Sequence, residues 1–276
     1  MQVLRTISEL RLRLQDEASI ALVPTMGNLH AGHISLVELA RVRGGCSVAT
    51  IFVNRLQFDP GGDFERYPRT LERDLEMLER AGTDVVFVPD EAQMYPQPQE
   101  ILVAPPKIAA ALEGEHRPGH FQGVATVVTK LFNAVRPHVA VFGKKDYQQL
   151  RVILALERQL NFGIRIIAAE TVREPDGLAM SSRNAYLSAT ERADAPRLNR
   201  NLQRVRDAIV KGARDFTALE TEAAADLAQA GWRVDYVAVR DRETLGAPTA
   251  GPGELVVLGA AWLGKTRLID NVEINP

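Results

Sequence analysis

The sequence contains a single cysteine, Cys46, so no disulfide bond can form within the chain. It has no apolar run approaching the roughly 20 residues that a helix needs to span a bilayer. Residues 1–16 mix charges into every turn and carry no apolar core of a signal peptide. The formal net charge of -2 gives no global reason to expect a nucleic acid or an anionic membrane as a partner. We therefore expect a cytoplasmic protein with neither kind of partner.

The chain does have the composition of an ordinary globular protein. Hydrophobic residues make up 46% and charged residues 25% of its 276 residues. This length allows one large domain or two ordinary ones, with a substantial core that needs no covalent staples.

Short apolar runs alternate with amphipathic stretches over the first two-thirds of the chain. The predicted strands are residues 20–23, 48–53, 85–88, 139–142 and 164–172. Helical spacing of apolar residues predicts helices around residues 7–14, 34–43, 71–78, 124–131 and 147–160. This alternation indicates right-handed βαβ units around a Rossmann-like parallel sheet, in which ligands bind outside the carboxyl ends of the strands.

The pattern changes after about residue 175. Two predicted helices, at 198–209 and 218–230, precede two β-rich segments at 233–240 and 254–274. We therefore expect a Rossmann-like domain over residues 1–174 and a smaller α+β domain over residues 175–276.

The first polar segment, residues 24–33, reads Pro-Thr-Met-Gly-Asn-Leu-His-Ala-Gly-His and runs from a predicted strand into a predicted helix. A helix N-terminus offers unpaired N–H groups and a partial positive charge, both suited to phosphate. Gly27 and Gly32 let the backbone approach a ligand closely. The imidazoles of His30 and His33 can hydrogen-bond phosphoryl oxygens in a transition state. The alternative is a strand–turn–helix whose histidines cap the helix or bind a metal.

Five further polar segments extend this pattern. They are residues 52–58 (Phe-Val-Asn-Arg-Leu-Gln-Phe), 67–70 (Tyr-Pro-Arg-Thr), 119–124 (Gly-His-Phe-Gln-Gly-Val), 142–150 (Phe-Gly-Lys-Lys-Asp-Tyr-Gln-Gln-Leu) and 173–184 (Arg-Glu-Pro-Asp-Gly-Leu-Ala-Met-Ser-Ser-Arg-Asn). Residues 30–33 resemble the HIGH-type signature of adenylate-forming nucleotidyltransferases. Together the segments resemble the pantothenate synthetase (pantoate–β-alanine ligase) family, in its order and spacing, over residues 24–187. Beyond residue 187 the likeness rests on length and general layout.

This resemblance implies an ATP-dependent ligase that joins pantoate to β-alanine through a pantoyl adenylate, with Mg²⁺ accompanying ATP, in a homodimer. It implies that His30, His33 and Lys145 act on phosphoryl transfer, with His33 also a candidate proton donor. It implies that Gln57 and Gln149 hold pantoate, and that Gln57 also contacts β-alanine. No metal site formed by the protein itself is expected. The implied ATP-binding residues are Met26, Gly27, Asn28, Leu29, His30, Ala31, Gly32, His33, Gly143, Lys144, Lys145, Asp146, Val172, Met180, Ser181, Ser182 and Arg183.

Elementary chemistry agrees with these roles. A lysine such as Lys145 can neutralise charge that develops at the α-phosphate, and Asp146 can reach ribose hydroxyls or a magnesium shell. The hydroxyls and guanidinium of residues 181–183 suit the β- and γ-phosphates. Gln57 and Gln149 offer uncharged, two-sided hydrogen bonding for hydroxyls and a carboxylate. Taken singly, the glutamines are more typical of surface residues and residues 181–183 of a solvated turn, and Asp146 is also typical of a helix cap.

Two positions depart from the family pattern. Lys144 stands where the family usually has glutamate, in Gly-Glu-Lys-Asp, and Arg55 stands where it usually has proline. Arg117 is a further candidate for the carboxylate end of the pocket. The remaining candidates are assigned no chemistry and are expected to be core, structural or solvated: Cys46, His116, His120 and His138.

Two other functions share part of this pattern. A nucleotidyltransferase acting on a phosphorylated alcohol has the HIGH-type motif, but needs extra basic residues for its second phosphate, and Gln57 and Gln149 argue against it. A non-catalytic nucleotide-binding module has no need of the two histidines, Lys145 and residues 181–183 in one chain.

Overall fold

A computed structural model of the protein describes residues 1–58, 64–65, 67–248 and 253–274. The chain forms two compact units. The first contains Met1–Gly143 and Val152–Glu170, and the second contains Lys144–Arg151 and Thr171–Pro276.

The strands and helices fall in the following order. The strands are β1 (Gln2–Leu4), β2 (Ile20–Thr25), β3 (Cys46–Ile51), β4 (Val85–Phe87), β5 (Val139–Gly143), β6 (Arg165–Ala169), β7 (Arg233–Asp241), β8 (Leu255–Leu263) and β9 (Thr266–Ile274). The helices are α1 (Ile7–Leu14), α2 (Ala31–Arg41), α3 (Leu71–Arg80), α4 (Glu91–Met94), α5 (Glu113–His116), α6 (His120–Val135), α7 (Tyr147–Leu160), α8 (Ala189–Asp194), α9 (Arg197–Val210) and α10 (Phe216–Gln229). Short 3₁₀ turns include Arg55–Gln57, Lys144–Asp146 and Ser182–Tyr186.

The first unit is built on a six-stranded sheet in the order β1-β4-β3-β2-β5-β6, with every pairing parallel. All six residues of β3 are buried, which is typical of a parallel sheet covered on both faces. Val37 of α2 and Leu78 of α3 pack with the residues of β2 and β3 in one apolar core.

The strand order reverses at β2. From β2 the chain proceeds outward through β3 and β4, and β5 and β6 then lie on the other side of β2. In parallel sheets a crevice opens at such a switch point, outside the carboxyl ends of the strands. The segments that follow β2, β3 and β5 therefore begin at one edge of this sheet.

The second unit contains a three-stranded antiparallel sheet in the order β7-β8-β9. Helices α9 and α10 contribute Leu202 and Leu227 to a core shared with Val257 of β8. A Cβ at Gly259 would lie 3.0 Å from the side chains of both Leu198 and Leu202, so glycine allows α9 to lie close against β8.

The predicted fold class is confirmed: a parallel α/β sheet with helices, followed by a small α+β part. Two details differ. Strand β1 was not predicted, because three residues are too few to show a period. The β-rich segment 254–274 is two strands, since Gly264 (φ +56°) allows a tight turn between β8 and β9. No helix in the described ranges is long and apolar enough to cross a membrane.

Candidate active site

The turn between β2 and α2 is held by a buried carboxylate. Gly27 (φ +80°) and Asn28 (φ +50°) both adopt left-handed backbone, a conformation that costs energy at a residue with a Cβ. The Asp74 carboxylate accepts the backbone N–H of Asn28 and the N–H of Leu29, each at 2.8 Å. The Thr70 hydroxyl donates to the same carboxylate. Asp74 is 1% exposed, so this buried charge is stabilised almost entirely by these hydrogen bonds.

The two histidines of the first motif cap helix α2 reciprocally. His30 is the N-cap, and its Nδ1 accepts the N–H of Gly32 at 3.1 Å. The Nδ1 of His33 accepts the N–H of His30 at 3.3 Å. Because both Nδ1 atoms are acceptors, each neutral ring carries its hydrogen on Nε2. The two rings lie side by side, 4.1 Å apart between centroids.

This arrangement corrects one expectation about the motif. The N-terminus of α2 was expected to offer unpaired N–H groups to phosphate, but most of those groups are already bonded within the chain. Among the described residues, only Ala31 has an N–H without a partner between Gly27 and His33. The capping role considered as an alternative is real, and it leaves the imidazoles as the main donors of the segment.

Gln57 lies in the segment that follows β3, and its amide orientation is fixed by a buried asparagine. Asn54 donates from Nδ2 to Oε1 of Gln57 at 3.0 Å and to the carbonyl of Gly123 at 3.2 Å. Its Oδ1 accepts the Tyr95 hydroxyl at 2.6 Å. Burial raises the pKa of Tyr95, which keeps this hydroxyl protonated as the donor. The Nε2 of Gln57, 3.2 Å from the sulfur of Met26, is consequently the donor end of its side chain.

Helix α6 supports the same segment from the other side. The ring of His120 is buried and its Nδ1 lies 2.9 Å from the carbonyl oxygen of Gln57. Arg117 contacts Nε2 of the same ring at 3.2 Å. A Cβ at Gly123 would lie 2.2 Å from the carbonyl oxygen of Leu56, so the close packing of α6 on this segment requires glycine. His120 was assigned no chemistry, and its contacts are structural ones that hold Gln57.

Arg55, one of the two departures from the family pattern, pairs with an acidic residue of the same unit. Its guanidinium lies 3.1 Å from the Glu91 carboxylate and 4.9 Å from the Phe64 ring. The added positive charge near the Gln57 segment is therefore already matched within the protein.

In the second unit, strand β9 holds the 3₁₀ turn that contains the predicted lysines. The side-chain amide of Asn271 donates to the carbonyls of Lys144 (2.8 Å) and Lys145 (2.9 Å). The Lys144 ammonium binds Glu273 at 2.7 Å. Gln149 follows in the first turn of α7 and is half-buried.

The Met-Ser-Ser-Arg segment ends a hairpin that is also anchored on β9. The N–H of Met180 donates to the carbonyl of Val172 across this hairpin. Arg173 makes a two-pronged ion pair with Asp270, at 2.7 and 2.9 Å. The Ser181 hydroxyl accepts the N–H of Arg183 and caps the following 3₁₀ turn.

The predicted residues thus form two sets. Residues 26–33, Gln57 and Gly143 belong to the first unit. Residues 144–146, Gln149, Val172 and residues 180–183 belong to the second. Within each unit, several of the predicted residues form hydrogen bonds with residues that were not predicted to belong to the site.

Those additional residues are Asn54, Asp74, Tyr95, Asp270, Asn271 and Glu273. Asp74 could have been noticed, because it lies at helical spacing among the apolar Leu71, Leu75 and Leu78. Asp270 could have been noticed too, since it alternates with Leu268 and Val272 on the buried face of β9. A charged side chain on a predicted apolar face is the signal in both cases.

The residues assigned no role fit that interpretation. Cys46 is 2% exposed in the first residue of β3, and burial raises the pKa of its thiol to about 11. His138 accepts the N–H of Ile20 between β5 and β2. Within the described ranges, no cluster of three or more histidine, cysteine or acidic side chains could hold a metal ion.

Comparison with known proteins agrees with these motifs. The model of the family described as pantoate-beta-alanine ligase matches residues 2–273. The chain belongs to this family. A pantothenate synthetase from Nitrosomonas europaea is 57% identical over 271 residues, which are 98% of each chain. Because the chain belongs to a family of ligases, the two alternative functions considered above, a head-group nucleotidyltransferase and a non-catalytic nucleotide-binding module, are excluded.

Solved structures show the same fold. Pantothenate synthetase from Thermus thermophilus is 43% identical, with a TM-score of 0.95 and full coverage of both chains. Pantoate-beta-alanine ligase from Francisella tularensis, solved with beta-gamma ATP and beta-alanine, is 32% identical, with a TM-score of 0.84 over 99% of this chain and 97% of that one.

Replacing Asp74 with asparagine tests whether the Asp74 carboxylate stabilises the turn before α2. We expect the free energy of unfolding to fall by about 1.5–3 kcal/mol, because one carboxylate oxygen becomes an NH₂ group that faces an N–H donor. Chemical denaturation measures the change. Glu72→Gln, at an exposed position of α3, is the matched control. Equal stabilities of Asp74→Asn and Glu72→Gln would contradict the claim that the Asp74 carboxylate stabilises this turn.

Replacing Arg55 with proline tests the path of the Gln57 segment. Arg55 is the first residue of a 3₁₀ turn, and Asn54 before it is extended (φ −87°, ψ 111°), as a residue before proline prefers. An exposed ion pair and a cation–π contact with Phe64 are lost, both of them weak at an exposed site, so we expect the melting temperature to change by less than about 4 °C. Arg55→Ala removes the same pair without proline. A large loss in Arg55→Pro alone would show that the segment cannot accept the family's residue.

Proposed function

We propose that this ligase condenses (R)-pantoate with β-alanine in two steps, using ATP and passing through a pantoyl adenylate. The observation that carries the proposal is the His30–His33 pair, whose Nδ1 atoms are fixed as backbone acceptors and whose Nε2–H groups are paired donors. Such donors stabilise negative charge that develops on phosphoryl oxygens.

In the first step a carboxylate oxygen of pantoate attacks the α-phosphorus of ATP in line. The bond from that phosphorus to the bridging oxygen breaks, and pyrophosphate leaves with the electron pair. His30 and His33 donate hydrogen bonds to phosphoryl oxygens, including those of the leaving pyrophosphate, and Lys145 neutralises charge at the α-phosphate.

In the second step the amine of β-alanine attacks the carbonyl carbon of the mixed anhydride. The carbon–oxygen bond breaks, AMP leaves with that oxygen, and the amine gives up a proton as the amide of pantothenate forms. No covalent enzyme intermediate is needed, because adenylation already supplies the leaving group.

Pantoate recognition is assigned to Gln57 and Gln149. Asn54 occupies the carbonyl end of Gln57, so Gln57 presents N–H donors, which suit a carboxylate or a hydroxyl oxygen. An uncharged donor binds the attacking carboxylate without neutralising it as strongly as a lysine does. Gln57 is also the candidate contact for β-alanine.

ATP is assigned to residues 26–33, Gly143, residues 145–146, Val172 and residues 180–183. Lys144, which was also predicted to bind ATP, is left out of this proposal because its ammonium is paired with Glu273. Magnesium is proposed to enter with ATP as part of the substrate, because Mg²⁺ commonly binds through substrate phosphates and few protein groups. The relative from Francisella tularensis, solved with beta-gamma ATP and beta-alanine, supports both substrates for this chain. Membership of a biosynthetic family also leads us to propose that the protein is a cytoplasmic homodimer. Sedimentation equilibrium would measure the mass of the assembly.

Replacing His33 or Lys145 with alanine tests the adenylation step. Each variant should lower pantoate-dependent ATP–pyrophosphate exchange by about 10²-fold or more, the scale of losing one transition-state donor. Lys265→Ala, at an exposed turn of the second unit, is the control for Lys145. Near-parental exchange by a folded Lys145→Ala protein would remove Lys145 from the mechanism.

Rapid mixing tests the order of the two steps. ATP and pantoate alone should release a burst of about one equivalent of pyrophosphate per active site, followed by slow turnover, because the adenylate waits for an amine. ¹⁸O placed in the pantoate carboxylate should appear in AMP once β-alanine is added. Pyrophosphate release that requires β-alanine from the start, with no label in AMP, would rule out the adenylate.

A further inference from the structure

The 3₁₀ turn Lys144–Asp146 is too short to be fixed by its own hydrogen bonds, and strand β9 supplies them. The Asn271 side chain donates to two consecutive carbonyls, those of Lys144 and Lys145. An amide nitrogen has two hydrogens, so both are used on this turn. Asn271 is 5% exposed, and removing its amide would leave both carbonyls without these bonds.

A second residue of β9 binds the side chains on either side of Lys145. Glu273 accepts the Lys144 ammonium at 2.7 Å and the Tyr147 hydroxyl at 3.1 Å. The Arg242 guanidinium donates to the same carboxylate at 2.8 Å. Asn271 and Glu273 are two residues apart, so they lie on one face of β9. Burial opposes the charge of Glu273, but its partners, Lys144 first, hold the pKa of this carboxyl below its usual value.

The two adjacent lysines differ in their surroundings. The Lys144 ammonium is bonded to Glu273, and its side chain is only 16% exposed. The Lys145 ammonium has no hydrogen bond or ion pair with any residue that the structure describes. A glutamate at position 144, the usual residue of the family, would instead face the carboxylate of Glu273.

We propose that Asn271 and Glu273 are positioning residues for Lys145, and that Lys144 is a strut paired with Glu273 rather than a ligand of ATP. This inference rests on the proposed function, which makes Lys145 the phosphate-neutralising group. A lysine has a long, flexible stem, so fixing its backbone limits where its ammonium can reach. Errors of about 1 Å in such placement can cost about 10²-fold in rate.

Three variants separate a strut from an ATP ligand. Lys144→Met removes the charge but leaves Glu273 with Arg242 and Tyr147, so kcat should fall about 3–10-fold while the KM for ATP stays within about threefold. Lys144→Glu places two carboxylates together and should lower kcat by at least about tenfold and lower the melting temperature. The double variant Lys144→Glu/Glu273→Gln removes the second carboxylate, and the glutamine can still accept from the Tyr147 hydroxyl and the Arg242 guanidinium.

ATP–pyrophosphate exchange measures the catalytic effect of these variants, and thermal melting measures their effect on stability. The double variant should regain most of the exchange rate and melting temperature lost by Lys144→Glu. Lys265→Glu, the same substitution at an exposed turn of the same unit, should change neither. Asn271→Asp should lower kcat more than it changes the KM for pantoate, because a carboxylate replaces the two donors of the turn.

Two outcomes overturn the inference: a rise of tenfold or more in the KM for ATP in Lys144→Met, or a double variant no better than Lys144→Glu in both measurements. These outcomes are distinct from failure of the proposed function, which would show as a lack of pantoate-dependent exchange in the unsubstituted protein. Even then, rescue of the melting temperature by the double variant would still test the pairing of Lys144 with Glu273.

Discussion

The carboxylate of Asp74 lies buried beneath the turn that leads into α2, where it accepts the N–H groups of Asn28 and Leu29. The geometry of His30 and His33, the two histidines proposed to act on phosphoryl transfer, depends on this contact. The turn needs positive φ at Asn28, a conformation that a non-glycine residue holds only when its surroundings fix it. His30 is the N-cap of the helix that follows this turn. The positions of its ring and of the His33 ring therefore depend on the hydrogen bonds of Asp74 to the turn.

The second unit also contains a buried carboxylate that accepts several hydrogen bonds. Asp270, 5% exposed in β9, accepts two hydrogen bonds from Arg173, one from Asn199 and one from the backbone of Asn271. Removing any one partner would leave a buried charge poorly compensated, which is commonly costly. The hairpin that leads into residues 180–183 is thereby fixed at its base, and Arg173 also donates to the carbonyl of Gly177 at the turn of the hairpin.

The fold was largely predictable, because strands buried on both faces give short apolar runs and the helices between them give regular apolar spacing. The motifs identified candidate ligand-binding residues because such segments follow strand ends. What the sequence did not reveal is the support beneath those segments. Asp74 contacts Leu29, which is 45 positions away in the sequence, and Asp270 contacts Arg173, which is 97 positions away. A hydrogen bond between such distant positions produces no periodic pattern in the local sequence.

The backbone N–H groups of the first motif differ from what a helix N-terminus alone predicts. Such a terminus has unsatisfied N–H groups by geometry, but here Asp74 and the Nδ1 atoms of His30 and His33 satisfy most of them. The histidines therefore have a structural role in capping α2, which is compatible with the chemical role proposed for them.

The path of the chain has a consequence for recombination between relatives. The chain passes between the two compact units at residues 143/144, 151/152 and 170/171. A crossover near residue 171 would give β9 from one parent and the Lys144 turn from the other. A glutamate contributed at position 144 would then face Glu273 instead of the lysine that binds it here. Such a hybrid keeps this ion pair only when its two parents supply residues of opposite charge at positions 144 and 273, which are 129 residues apart.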